Sequence, residues 1–103
     1  MIELVSDLKQ KYPNHVIIVE EKSFDNQRFY CAYDADADAV HDVLGYKFVQ
    51  TALGRKCSGP NLYKIRHALL KKGYPVVVYS NNQVSSVMKP GDLDSPWSLR
   101  EKP

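Results

Sequence analysis

The sequence predicts an α/β fold, a small single domain in which helices flank a mixed β-sheet in the order α-β-β-α-β-α-β. Its 103 residues suffice for one hydrophobic core but not for two. β-branched and apolar runs alternate with stretches of helical periodicity. In residues 28–45 (RFYCAYDADADAVHDVLG) a strand pattern continues directly into a helix pattern, and this succession is typical of the class.

The first three elements follow from local patterns. Apolar residues recur at helical spacing in residues 2–11, and Pro13 ends that helix because a proline pushes the residue before it out of the α region. Residues 15–21 (HVIIVEE) form a β-branched run typical of a central strand. Residues 24–27 (FDNQ) supply turn residues before a second strand at 28–33, which predicts a hairpin.

Alternating aspartates, Asp34, Asp36 and Asp38, follow the second strand and suggest a calcium loop. Such a loop needs glycine at its sixth position and glutamate at its twelfth, and here those positions hold Ala39 and Gly45. The better interpretation is helix initiation, in which an early Asp caps the helix and the others favour its positive end. Gly45 then ends the helix. The expected buried face comprises Ala35, Ala39, Val40, Val43 and Leu44. No metal site is predicted.

The second half of the chain continues the alternation. Residues 46–53 predict a third strand, and residues 54–60 (GRKCSGP) predict a glycine-bracketed basic loop that lacks the spacing of a phosphate-binding P-loop. Asn61 is expected to cap a helix that ends at Lys72. Residues 74–79 (YPVVVY) predict a short apolar strand.

After Ser80 the periodicity is lost, so the sequence predicts a domain at residues 1–80 and a polar tail at 81–103. Two arrangements of the tail remain open. It is either loosely attached or wrapped on the sheet, in which case Val84, Val87 and Trp97 are its expected anchors.

Charge divides unevenly along the chain. Residues 1–42 contain nine acids and four bases, whereas residues 43–91 contain no acid. The eight bases of that second stretch are Lys47, Arg55, Lys56, Lys64, Arg66, Lys71, Lys72 and Lys89. An acid-free basic half is suited to a polyanion such as nucleic acid. The alternative is a solvated surface that the acidic half balances in three dimensions.

Enzymatic chemistry is not predicted, and no cofactor is expected. No nucleotide-binding loop, nucleophile elbow or metal-ligand spacing is present. Cys31 falls in an apolar strand and is expected in the core, whereas Cys57 beside Lys56 is the thiol with the better prospect of a lowered pKa. Two cysteines, the lack of a signal peptide and the lack of an apolar run long enough to span a membrane predict a cytoplasmic protein.

Three blocks of the sequence resemble the N-terminal domain of the MutS family, which recognises DNA mismatches. They are residues 8–19 (LKQKYPNHVIIV), 29–44 (FYCAYDADADAVHDVL) and 59–80 (GPNLYKIRHALLKKGYPVVVYS). Their order and spacing agree with the predicted elements over most of residues 8–80. The resemblance implies the same fold.

The resemblance also implies a recognition mechanism. In the family a phenylalanine enters the minor groove beside a mispaired base, and a glutamate two residues later hydrogen-bonds that base. Counted from the downstream block, those positions are Phe29 and Cys31. Counted without a gap from Pro13, they are Phe24 and Asn26, so the hairpin here is five residues longer than in the family.

Two function hypotheses follow. The first is a stand-alone, non-catalytic module that binds duplex or mismatched DNA. Its expected contacts are Phe24 or Phe29 as the stacking residue, with Asn26, Arg28, Arg55, Lys56, Lys64, Arg66, Lys71 and Lys72. The second is a protein-interaction module, for instance a homodimer, that kept the fold and lost mismatch recognition.

Overall fold

The computed structural model describes residues 2–94 as three α-helices, six strands and a closing 3₁₀ helix. The elements are α1 (Ile2–Lys11), β1 (Val16–Lys22), β2 (Arg28–Tyr33), α2 (Ala35–Leu44), β3 (Val49–Thr51), β4 (Gly54–Gly59), α3 (Leu62–Lys71), β5 (Val76–Ser80), β6 (Gln83–Met88) and the 3₁₀ helix (Pro90–Asp94). Within that range no helix has the length and hydropathy of a membrane span.

All six strands form one mixed sheet in the order β3-β4-β2-β1-β5-β6. The central pair, β1 and β5, is parallel, and Val16 pairs with Val76. The remaining pairs are antiparallel. Residues 16–19 and 76–78 are buried, as expected for central strands with both faces covered. The predicted α/β class and mixed sheet are therefore confirmed.

Helices cover the two faces of the sheet unequally. On one face, here called the two-helix face, α2 and α3 pack over a cluster that includes Ile18, Leu69 and Val78. On the other, the one-helix face, α1 packs through Leu8 against a smaller cluster around Val77. α1 packs mainly on β1 and, through Leu8, on Val77 of β5, so it covers the one-helix face of β2, β4 and β3 less fully.

The loop predicted at residues 54–60 is wrong, because β4 occupies most of it and pairs with both β2 and β3. Cys57 is buried beneath α2, and Gly59 approaches Tyr46 so closely that an added Cβ would lie 2.6 Å from the ring. The flanking glycines are therefore packing residues of a strand. The preceding strand is correspondingly short, and Tyr46 lies outside it.

Beyond Ser80 the chain returns as β6, which hydrogen-bonds to β5. Asn81 and Asn82 form the connection, both with positive φ (54° and 62°), as a tight two-residue hairpin turn requires. Val84 packs against the smaller cluster, whereas Val87 is 46% exposed. The third expected anchor, Trp97, lies outside the described residues.

Helix ends were predicted with mixed success. Asn61 caps α3 by accepting a hydrogen bond from the Lys64 amide at 3.1 Å, and Gly45 closes α2 with φ 73°. Asp34 precedes α2 but its side chain makes no cap; its carboxylate instead accepts from the Arg55 amide at 3.3 Å. The capping prediction for the aspartates is therefore wrong.

The buried face of α2 is also rotated from the predicted one. Ala35 is exposed, and Asp36 is buried at 5% exposure. The Asp36 carboxylate accepts hydrogen bonds from the Lys9 ammonium at 3.0 Å and from the Ile17 amide at 3.1 Å. One of the apparent helix-start acids thus ties α2 to α1 and β1.

Candidate nucleic-acid interface

The tip of the β1–β2 hairpin presents Phe24 fully to solvent, at 103% relative exposure. The turn beneath it is held by two backbone hydrogen bonds, Ser23 N to Gln27 O at 2.8 Å and Asn26 N to Ser23 O at 3.0 Å. Asn26 has φ 66°, a left-handed conformation that asparagine tolerates. The hydrogen bond from the Ser23 hydroxyl lowers the pKa of Asp25, with a further contribution from the Gln27 amide. An exposed aromatic ring therefore stands on a well-tied turn.

Phe29 has a different setting, half-buried within β2 on the one-helix face. Its partner across the β1–β2 ladder is Glu21. Two residues further on, Cys31 is fully buried, and burial raises the pKa of its thiol to about 12. A neutral buried thiol cannot reach an external base, so position 31 does not replace the carboxylate that the family resemblance implies there.

Glu21 belongs to a partly buried polar cluster with Tyr33 and Lys56. The Tyr33 hydroxyl donates a hydrogen bond to its carboxylate, and Lys56 Nζ lies 3.0 Å from its second oxygen. Burial raises the pKa of Tyr33, and the hydrogen bond to Glu21 adds to the rise. For Lys56, burial alone would lower the pKa, but the hydrogen bond and charge of Glu21 together with Cys31 outweigh burial, and the pKa is raised. Only strand register brings these residues together, so no local pattern reveals them.

Several of the expected phosphate contacts already have partners within the protein. Arg55 Nη1 lies 3.0 Å from Asp38, and Lys56 is bound as described above. Arg66 donates to the Ser86 hydroxyl at 3.2 Å. Arg28 Nε lies 3.9 Å from a carboxylate oxygen of Glu20, a long ion-pair contact. These cations would have to exchange partners, at a cost, before binding an external anion.

Three other expected phosphate contacts are lysines that take no part in these interactions. Lys64, Lys71 and Lys72 are exposed, and the ion pairs formed within residues 2–94 involve none of them. All three belong to α3 or its C-terminal cap. Their charges are available to solvent.

Strand pairing divides the expected contacts between two ends of the sheet. The hairpin end holds the β1–β2 turn and, because Tyr30 pairs with Gly59, also the start of α3. From there α3 runs back to the far end, where β5 begins beside Val16. Phe24, Asn26, Arg28 and Lys64 therefore lie towards the hairpin end, and Arg55, Lys56, Lys71 and Lys72 towards the far end. They do not form one patch.

A cavity of about 310 Å³ opens at the far end, between α1 and the start of α2. It is lined by Val5, Ser6, Lys9, Tyr33, Asp34, Ala35, Asp36 and Leu53. Burial raises the pKa of Asp36, and the bonds from the Ile17 amide and Lys9 oppose that rise. Because Lys9 is paired with Asp36, the cavity has little charge to attract phosphate.

The thiol that the sequence singled out is not reactive in this setting. Cys57 is 1% exposed, burial raises its pKa, and its Sγ lies 3.6 Å from the Tyr46 carbonyl oxygen. Within residues 2–94, no group of three His, Cys, Asp or Glu side chains is placed to hold a metal ion. The candidate site is therefore the hairpin end with α3, a surface for binding.

Comparison with protein families agrees with this assignment of fold. The family model described as MutS domain I matches residues 1–94, a range that includes every helix and strand described above. No curated protein matches the chain.

Proposed function

The chain belongs to the MutS domain I family, and from this premise we propose that it binds DNA at mispaired or distorted sites without catalysing a reaction. The observation that carries the proposal is the fully exposed Phe24 on its tied hairpin turn. A phenylalanine in that position gains no burial from folding. Burial of its ring in a ligand would remove that exposed apolar surface from water.

Phe24 is suited to act as a wedge between base pairs. Insertion of an apolar side chain costs a few kcal/mol in lost base stacking, and the cost is smallest where a mispair has already weakened the stack. Stacking a base on an aromatic ring returns about 1–3 kcal/mol. The lower cost of insertion into a mispaired duplex than into a perfect one is the source of selectivity.

Phe24 is the better wedge of the two candidates. Phe29 is half-buried in a strand, so less of its ring is available for insertion than at the fully exposed Phe24. Asn26 follows Phe24 by two residues and is exposed, so its amide can both donate to and accept from a base edge. Arg28, at the base of the hairpin, would contact a neighbouring phosphate on leaving Glu20.

The remaining expected phosphate contacts are of two kinds, cations without an internal partner and cations that already have one. Lys64, Lys71 and Lys72 would contribute directly, since they have no ion pair within residues 2–94. The contributions of Arg55, Lys56 and Arg66 require their internal partners to be released. We expect binding to be weak and strongly salt-dependent, and the two buried free cysteines suit a reducing cytoplasm.

The test is fluorescence anisotropy with labelled duplexes that differ only in one mispair, at about 50 and about 200 mM salt. Tighter binding to the mispaired duplex, lost in Phe24→Ala, supports the proposal. Phe48→Ala is the matched control, because this phenylalanine is also exposed but stacks on His41, away from the hairpin. Absence of binding to either duplex at the lower salt would overturn the proposal.

A second candidate, a homodimer, is favoured by the edge strand β6. Within the described residues β6 has no neighbour on its outer side, and it carries no charged residue. Residues 84–87 read Val-Ser-Ser-Val in both directions, so antiparallel pairing of two copies places Val84 opposite Val87. A bulge beside Ser85 opposes this pairing by twisting the edge. Sedimentation of wild type and Val87→Lys decides it: a dimer lost in the variant supports the candidate, and a wild-type monomer excludes it.

A further inference from the structure

The outer side of α3 forms a basic stripe made of Lys64, His67 and Lys71, here called the α3 stripe. Residues three and seven positions apart lie on one side of a helix, within about 60° of one another. All three are exposed, and so is Lys72 beyond the last turn. The helix contains no acidic residue from Leu62 to Lys71.

Neither lysine of the stripe forms an ion pair within residues 2–94. The ion pairs of residues 2–94 hold Lys9, Arg28, Arg55 and Lys56, all outside α3. Acidic residues on the elements packed against α3 include Asp42 of α2 and Asp92 of the 3₁₀ helix. Asp42 forms none of those pairs, and Asp92 accepts a hydrogen bond from the Lys89 amide.

Helix stability explains only part of the stripe. Lys71 and Lys72 lie at the carbonyl end of α3, where a cation is favourable. Lys64 lies in the first turn, where the free amides already give a positive potential and a further cation is unfavourable. A ligand with negative charge would relieve that repulsion.

An aromatic ring stands beside Lys64. Tyr63 is 65% exposed, and the Arg66 guanidinium lies 5.2 Å from its ring centroid on the side towards β6. Arg66 is itself held by Ser86. One face of the ring is thereby supported by the protein, and a flat group can stack on the other.

We infer that the α3 stripe binds a single strand of nucleic acid, with phosphates on Lys64 and Lys71 and one unpaired base on Tyr63. The rise from Lys64 to Lys71 is about 10 Å, which matches about three nucleotides of a stacked strand. A base can stack on Tyr63 only when it is unpaired. This inference rests on the proposed function and deepens it, since it specifies that the strand whose phosphates Lys64 and Lys71 contact is unpaired.

The experiment is anisotropy of the full chain with a labelled single strand of about 12 nucleotides, over a range of salt concentrations. In Lys64→Gln/Lys71→Gln, two phosphate contacts are lost. The plot of log affinity against log salt should become less steep by about 1.4, and binding should weaken roughly 20-fold at 0.1 M salt. Lys11→Gln/Lys47→Gln removes the same charge from exposed sites outside α3 and should leave the slope unchanged.

Substitutions of Tyr63 provide a second test, because they change single-strand affinity without changing the charge of the protein. Tyr63→Ala should weaken single-strand binding at least about 5-fold, whereas Tyr63→Phe, which keeps the ring, should bind like wild type. The inference is overturned if wild type binds the strand but the α3 and control double variants lose affinity equally. Absence of binding to any DNA at low salt overturns the proposed function instead, so the two failures are distinguishable.

Discussion

Phe29 and Glu21 lie directly opposite each other across the β1–β2 ladder, and the Glu21 carboxylate also binds Tyr33 of β2 and Lys56 of β4. Phe29, the wedge position counted from the downstream block, is therefore part of a strand pair. The exposed ring in the same hairpin is that of Phe24, five residues earlier and at the tip. The two counts of the wedge position thus give residues in different settings, one within a strand and one at an exposed tip.

The two phenylalanines should differ in their effect on stability. Phe24→Ala removes no buried contact and should change the free energy of unfolding by no more than about 0.5 kcal/mol. Phe29→Ala should cost about 2 kcal/mol, because part of its ring is buried. Urea denaturation of both variants measures this. Equal losses at the two positions would show that the hairpin tip packs on something in solution.

Glu21 and Lys56 should be energetically coupled. Their side chains are only 23% and 24% exposed, so the pair is screened less than one on the surface. We expect a coupling energy of about 1 kcal/mol from a double-mutant cycle of Glu21→Gln and Lys56→Gln. A coupling energy near zero would contradict the pairing of Glu21 with Lys56. Arg55→Gln with Asp38→Asn, an exposed pair, is the control and should couple more weakly.

Alkaline pH should destabilise the fold through Cys31. Burial raises its pKa to about 12 from 9.0, so the unfolded chain loses this proton first. Its contribution is fully present below pH 9 and is lost as the pH rises towards 12, by up to about 1.4 kcal/mol per pH unit. The free energy of unfolding of Cys31→Ala should fall less steeply over this window. Parallel pH profiles for the two proteins would exclude Cys31 as a cause.

Removal of Lys9 should expose the cost of burying Asp36. In Lys9→Met the carboxylate keeps the Ile17 amide but loses its counter-ion, and we expect a loss of about 2 kcal/mol at pH 7. The pKa of Asp36 is already raised by burial, so lower pH should relieve part of this loss by protonating the carboxylate. Asp36→Asn combined with Lys9→Met should lose less than Lys9→Met alone. Unfolding at pH 5 and pH 7 measures both effects.

The elements that could be predicted from sequence are those whose signal is local. β1 and β5 are apolar β-branched runs, and Asn61 and Gly45 are cap residues with their own conformational preference. β4 has no such signal, because Gly54 and Gly59 are typical turn residues in sequence. Only the structure shows that they are small because Asp34 and Tyr46 pack closely against them. The sequence leaves open whether the chain after Ser80 packs on the sheet, because the apolar residues of β6 are few. Its Asn81-Asn82 turn was the available sign.

The candidate site was predictable only in part for the same reason. Exposed residues on turns and helix faces, such as Phe24 and Lys64, can be recognised from their neighbours in sequence. The pairing of Lys56 with Glu21 joins positions 35 residues apart and depends on the register of three strands. Charge counts along the chain therefore overestimated how many cations are available for phosphate.

The parallel pairing of β1 with β5 has a consequence for the order in which the chain folds. Val16 pairs with Val76, sixty positions later, whereas the β1–β2 hairpin closes through a turn of a few residues. Loop-closure entropy makes the local hairpin fast and the distant pairing slow. On the ribosome, the hairpin that carries Phe24 can form early, but β1 keeps one edge unpaired until residues 76–80 have emerged. During that interval the nascent chain is at its most vulnerable to aggregation.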